Sequence, residues 1–441
     1  MFVSVTRVLS FCTLVALNIV AGMSPVHSTP PDTGLTEVFV EDLVPGRPQR
    51  ARHVATPKVR ASDKITRIAK RGNTNEIVHD GDLRRLEEPR SLELPKLDER
   101  SAAGELERLD YTGRPMQAMT LSPTVKRLKP LLERTLRHYY NDMERAEGRS
   151  NWGMMHAVLV YGNDTKVIAN GRRYNTISWV AGNNVCRGQR FFEEDRQGIK
   201  VKSGVGLQGH QGQFLMVCGL TGIPSSYPLY VNGNRYSIQD LVQREQAACR
   251  SGEELTFAFT GLIHYLDTDA AWVSSDGQSW DFERMLAEEL SQPIVGTACG
   301  GTHRLMILSH ALRARRAEGK PITGQWKRAE QFLDDFVQYA FTLRNRDGSW
   351  STRWFEGRAD TGNVDRKIQT TGHIAEWLLT TLPDSQLQDP RLVGAIAYLN
   401  SAMYGQRDRD WSIGPKGHAN RALRLFYERA YQSTPAWDSL R

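Results

Sequence analysis

Nowhere in this chain do two cysteines stand at the CxxC spacing of a paired zinc knuckle, and the five cysteines in 441 residues are widely and irregularly spread. That usage excludes the framework of a small disulfide-stapled domain, while one or two bridges stay open. Long apolar runs are equally scarce. Residues 8–22 (VLSFCTLVALNIVAG) form the longest, and it is too short to span a bilayer comfortably. Aromatic residues are nearly missing between positions 29 and 122, where only Phe39 and Tyr111 occur, so no continuous core can be drawn there.

The short apolar run follows Arg7 and reads as the h-region of an export signal, with cleavage expected after Ser28 or earlier near Gly22. Cys12 leaves with it, and the mature chain keeps Cys186, Cys218, Cys249 and Cys299. The expected location is therefore periplasmic or extracellular, with a soluble mature chain and no transmembrane segment. Residues 29–121 read as a flexible, charged tether. Within it Arg47, Arg50, Arg52, Lys58, Arg60, Lys64, Arg67, Lys70 and Arg71 are opposed only by Asp63, and residues 82–110 alternate charge in the manner of one exposed helix. No groove-reading or aromatic residues are interleaved with these charges, so nucleic acid is not the expected partner. After export, contact of this tether with anionic lipid headgroups or wall polymer fits better, and an envelope polymer or a small-molecule substrate is the expected partner of the chain.

The folded part is expected from residue 122 to residue 441. Ser122 and Pro123 make an N-cap and a first-turn proline, and Leu131, Leu132, Leu136, Tyr139, Tyr140 and Met143 then recur at helical spacing. Further helices are expected over residues 238–248, behind the Ser237/Asp240 capping pair, and over 299–317, 325–343, 371–382 and 390–403. Between the earlier ones lie three similar turns. Asn170-Gly171, Asn232-Gly233 and Asp276-Gly277 are each followed by an aromatic three residues after the glycine, which predicts type I′ β-hairpins inserted between helices.

Six histidines follow a glycine at short range and precede or enter an apolar run: His156, His210, His264, His303, His373 and His418. Their intervals of 54, 54, 39, 70 and 45 residues suit an array of about six helical hairpins with loop insertions. If such an array closes, histidines at the beginnings of inner helices converge on a central pocket. His156, His210, His303 and His373 are the candidates, together with Cys299. Thr297-Ala298-Cys299-Gly300-Gly301-Thr302-His303 places a thiol at an expected helix N-terminus with an imidazole four residues on, which suits a thiolate nucleophile or two ligands of a metal site completed by His210 or His373. Two ligands do not name a metal, and metal content and cofactor stay open at this point. The competing expectation is a polysaccharide-active enzyme with Asp334, Asp335, Asp347, Glu356 and Asp365 as carboxylates and Trp272, Trp280, Trp350, Trp354 and Trp377 as sugar platforms. A noncatalytic module binding an acidic polymer or a protein is the third.

Ala340-Phe341-Thr342-Leu343-Arg344-Asn345-Arg346-Asp347-Gly348-Ser349-Trp350 resembles the QW repeat of squalene-hopene cyclases. Arg344 stands where that family has Gln, Gly348 and Trp350 match, and residues 276–280 are a weaker echo. The likeness covers a small fraction of the chain. It implies an all-α fold, the α/α-toroid shared by terpenoid cyclases, protein prenyltransferases and lanthionine cyclases. It does not carry the activity: Asp267-Thr268-Asp269 lacks the doubled aspartate of the cyclase acid motif, Thr297 occupies the aspartate position of the prenyltransferase Asp-x-Cys pair, and the adjacent Cys-His pair of lanthionine cyclases is missing.

Overall fold

The computed structural model describes residues 109–432. The expected export signal, the basic run and nearly all of the charged helix at 82–110 lie outside the described residues. Residues 109–121, whose composition reads as tether, pack against the helices. Tyr111 is buried under Arg316, whose guanidinium lies 4.2 Å from the ring, and Gln388 brackets Ser122 N and Thr120 O.

The described chain is mostly helical with four small sheets. Its helices are α1 (Pro123–Asn141), α2 (Asn151–Tyr161), α3 (Thr176–Ala181), α4 (Gln213–Leu220), α5 (Ile238–Ala248), α6 (Thr256–Tyr265), α7 (Phe282–Ser291), α8 (Thr302–Ala317), α9 (Gly324–Thr342), α10 (Val364–Thr381), α11 (Pro390–Gly405) and α12 (Ile413–Tyr431). Polar caps start many of them. Ser122, Ser150, Asn175, Asp281, Asn363 and Asp389 each accept a first-turn backbone N–H, and Ser237 with Asp240 forms a capping box.

Two kinds of helix occur, and from α4 onward they alternate along the chain, whereas α3 is short and wholly buried. Every residue of α4 is buried, and α8, α10 and α12 are buried on nearly all sides. In contrast, α1, α5, α7 and α9 bury one stripe only, as helices between core and solvent do. The fully buried helices pack in succession, α2 on α4, α4 on α6, α6 on α8, α8 on α10 and α10 on α12, and α12 packs on α2. One-sided helices lie against them, α5 on α6, α9 on α8, and α1 on α12.

The hairpins β2–β3 (Lys166–Ala169 and Arg172–Asn175), β6–β7 (Pro228–Val231 and Asn234–Ser237) and β8–β9 (Ala271–Val273 and Ser279–Asp281) connect α2 to α3, α4 to α5 and α6 to α7. β1 (Glu144–Arg145) pairs in parallel with β2. Asn170 and Asn232 take positive φ with the glycines that follow them, as type I′ requires. The third turn differs: Gly277 is left-handed and Asp276 is not, and a longer loop closes through Ser274 N to Gln278 O. A further hairpin, β4–β5 (Phe192–Asp195 and Gly198–Val201), has no Asn-Gly signal and is absent from the sequence expectation.

Two helix starts also differ from expectation. α10 begins at Val364 rather than near 371, because Asn363 caps it and Lys367, in the charged first turns, is neutralised by Asp347 and Asp360 at 2.8 Å. α8 begins at Thr302, three residues after Cys299.

The QW-like turn ties α9 to its neighbours. Trp350 is fully buried, its Nε1 donates to Ala340 O at 2.8 Å at the end of α9, and its backbone N–H reaches Thr371 Oγ1 of α10 at 3.0 Å. Replacing Trp350 by Ala empties this junction and is expected to cost about 3–5 kcal/mol, read as a lowered urea midpoint, while Trp272→Ala in a half-buried hairpin costs less.

Candidate functional site

The buried helices carry histidines whose rings gather. His373 on α10 and His418 on α12 lie 3.7 Å apart between ring centroids, His303 on α8 lies 5.6 Å from His373 and 5.2 Å from His418, and His156 on α2 lies 5.5 Å from His418. His210, just ahead of α4, stacks at 4.2 Å on Phe257, whose ring is 5.1 Å from His303. Five of the six sequence-identified histidines thus share one locality. The sixth, His264, sits in the last turn of α6 and faces His310 at 5.2 Å instead.

The glycines that precede these histidines have a packing reason. A Cβ on Gly372 would lie 2.8 Å from Ala419 N, and one on Gly417 would lie 3.2 Å from the His156 Cβ. Bare backbone lets α10, α12 and α2 approach closely enough for their imidazoles to touch.

Four of the five rings are oriented by their Nδ1. His156 pairs with Trp152 O at 2.8 Å, His373 with Gln369 O at 2.7 Å, His418 with the Glu376 carboxylate at 2.6 Å and His210 with Glu254 at 2.6 Å. Where the acceptor is a backbone carbonyl, Nδ1 must carry the proton, so Nε2 presents a lone pair. Glu376 is held in turn by Arg421 at 2.8 Å. The Nε2 of His373 is buried and has no hydrogen-bond partner among the described residues.

Cys299 reaches the cluster by a turn that the sequence reading placed inside the helix. Cys299, Gly300 and Gly301 take φ of 49°, 62° and 74°, three successive left-handed residues. Only glycine fits at 300, where a Cβ would lie 2.5 Å from the Trp354 ring. The expected helical i, i+4 relation of Cys299 and His303 is therefore replaced by a chain reversal, closed by Thr302 Oγ1 donating to Cys299 O at 2.8 Å. The outcome for chemistry is similar: one ligand atom from each of Cys299, His303 and His373 lies within 4.8 Å of the other two. Cys299 and His303 are half-buried and His373 is buried.

All four described cysteines are thiols. Burial raises the pKa of the thiols of Cys186 and Cys249 to about 12 and that of Cys218 further, which makes them inert core groups and sets Cys299 apart. Burial lowers His156 to about 4; it also holds His303, His373 and His418 well below the ordinary imidazole value, with neighbouring histidines adding to the effect. Near neutral pH these four are uncharged and can act as ligands or acceptors.

Three of the competing carboxylates are in ion pairs. Asp347 is engaged by Lys367, Glu356 by Arg353 and Asp365 by Arg409. Trp280, Trp350 and Trp377 are fully buried packing residues, and Trp354 seals the cluster at 5.3 Å from His373. Asp269 is exposed in a surface ion cluster with Arg315 and Lys320. Glu376 and His418 were not among the residues expected from the sequence to line the site. His418 had the glycine-histidine signal, whereas Glu376 looks like any helical glutamate until α12 packs against it.

His156 has an unfolded value of 6.5 and a folded value of about 4, so the unfolded chain binds more protons between these limits and stability falls as pH drops through that window. His156→Gln is expected to make the acid limb of stability against pH shallower by about 1.4 kcal/mol per pH unit, measured by urea titrations between pH 4 and 7.

Comparison with family models, curated proteins and solved structures finds no match to this chain.

Proposed function

We propose that this chain is an exported metalloenzyme in which an α/α-toroid of six helical hairpins holds a transition-metal ion at its centre. Support for the toroid comes from the succession of fully buried helices whose last member packs on the first, with one-sided helices outside. No helix among the described residues is long and apolar enough to cross a membrane.

The observation that carries the metal reading is the Cys299–His303–His373 triad, with His373 Nε2 buried and unpartnered beside it. A buried imidazole lone pair with no donor is costly, and a cation removes that cost. One thiolate and two imidazoles form a borderline-soft set that favours zinc over magnesium or calcium. Their supports match ligand practice too, since Gln369 O fixes the His373 tautomer. Three protein ligands leave a coordination position for water or substrate, the grammar of a catalytic rather than a structural zinc site. The reaction class is then metal-assisted addition of water to a polarised substrate, with neutral His156 and His418 as nearby hydrogen-bonding groups.

Elemental analysis of the purified full chain is expected to find stoichiometric zinc. Cys299→Ser and His373→Ala should each lose most of it, and cobalt substitution should give a thiolate-to-metal charge-transfer band that is absent in Cys299→Ser. Gly300→Ala should weaken metal binding by about 10- to 100-fold by displacing the Cys299 turn. A wild-type chain that takes up neither zinc nor cobalt, or a Cys299→Ser variant with an unchanged cobalt spectrum, would overturn the assignment.

A further inference from the structure

The three-stranded sheet β1–β2–β3 has two chemically opposite faces. Directly opposed residues share a face, so the register places Glu144, Val167 and Tyr174 in one row and Arg145, Ile168 and Arg173 in the next. The first row faces the core, where Val167 is fully buried. The second faces out, with Arg145 and Arg173 exposed on either side of Ile168. Lys166, two residues before Ile168, extends the same face. Arg172, at the start of β3, is exposed but opposes Ala169 and so belongs to the other face. Beyond β1, Arg187 donates its backbone N–H to Ala146 O at 2.7 Å and is exposed at a left-handed turn.

None of Arg145, Lys166, Arg173 and Arg187 forms an ion pair with a carboxylate among the described residues. Glu144 is spent on Arg149 and Lys416, and Glu147, the carboxylate that senses Arg145, accepts the Asn170 N–H. At other places on this chain basic side chains do meet carboxylates, as Arg244 with Asp195 and Arg316 with Glu330.

We propose that this face is a binding surface for an extended acidic polysaccharide. Arg145 and Arg173 stand two strand spacings apart, about 10 Å, and planar guanidinium groups suit carboxylate or sulfate groups presented along a chain. A membrane surface would need an exposed apolar wedge, and Ile168, the apolar residue of the row, is half-buried. A single-stranded nucleic acid would need aromatic platforms, and Tyr174 faces inward. This surface is independent of the metal site.

The test uses the full chain, with polygalacturonate and heparin as probes, single-stranded DNA and phosphatidylserine vesicles as comparison ligands, and binding followed against salt. Wild type is expected to bind both polysaccharides more tightly than DNA or vesicles. Arg145→Gln with Arg173→Gln should weaken polysaccharide binding at least about tenfold. Arg127→Gln with Arg328→Gln, which removes the same charge from exposed helical positions and leaves the basic run at 47–71 intact, should change it less than about twofold. No binding of either polysaccharide, equal losses in the two double variants, or tighter binding to DNA or vesicles would overturn the proposal.

Discussion

The hydrogen bond made by the imidazole Nδ1 of His156, His210, His373 and His418 is the constraint from which much of the centre follows. A helix buried on every side cannot leave a polar ring to find its partner in water. His156 and His373 solve this within their own helices, on the carbonyl four residues back, and His418 solves it across helices on Glu376. Once Nδ1 is engaged, ring orientation is no longer free, and the lone pairs of Nε2 point into the space the helices share. Burial then keeps the rings neutral, because a charged imidazole would lose its hydration without gaining an equivalent partner.

Close approach of the helices is the second requirement, and it depends on absent side chains. Gly372 and Gly417 permit contacts that alanine would push apart, while Gly300 accommodates both a left-handed backbone and the Trp354 ring. The same feature joins stability to chemistry. Trp354 packs against the Gly300 turn and His373, and Trp350 anchors the neighbouring turn to α9 and α10. The QW-like segment thus buttresses the centre from behind and adds no reacting group to it.

Polar groups are distributed differently outside the core. Ion pairs cross several exposed segments, as Arg244 with Asp195 and Arg250 with Asp276, whereas the arginine row on the β1–β3 sheet makes none among the described residues. Its orientation follows from the alternation of a short strand: burying Val167 and Tyr174 leaves Arg145 and Arg173 no direction but outward.

Much of the helical content and the gathering of histidines was legible in the chain, because caps, apolar spacing and a glycine ahead of each histidine are local signals. Two of the three hairpin turns were legible for the same reason, since Asn-Gly needs only its own φ angles. The α10 start was misplaced where charged residues hid a helix whose lysine is neutralised by partners remote in sequence. Nothing local distinguishes Glu376 or Trp354, puts Cys299 in a left-handed turn, or separates His264 from the other five histidines. By itself the sequence determined which side chains were available and which segments would coil into helices. Which lone pairs meet was decided only by tertiary packing, because convergence depends on how closely and at which end separate helices approach.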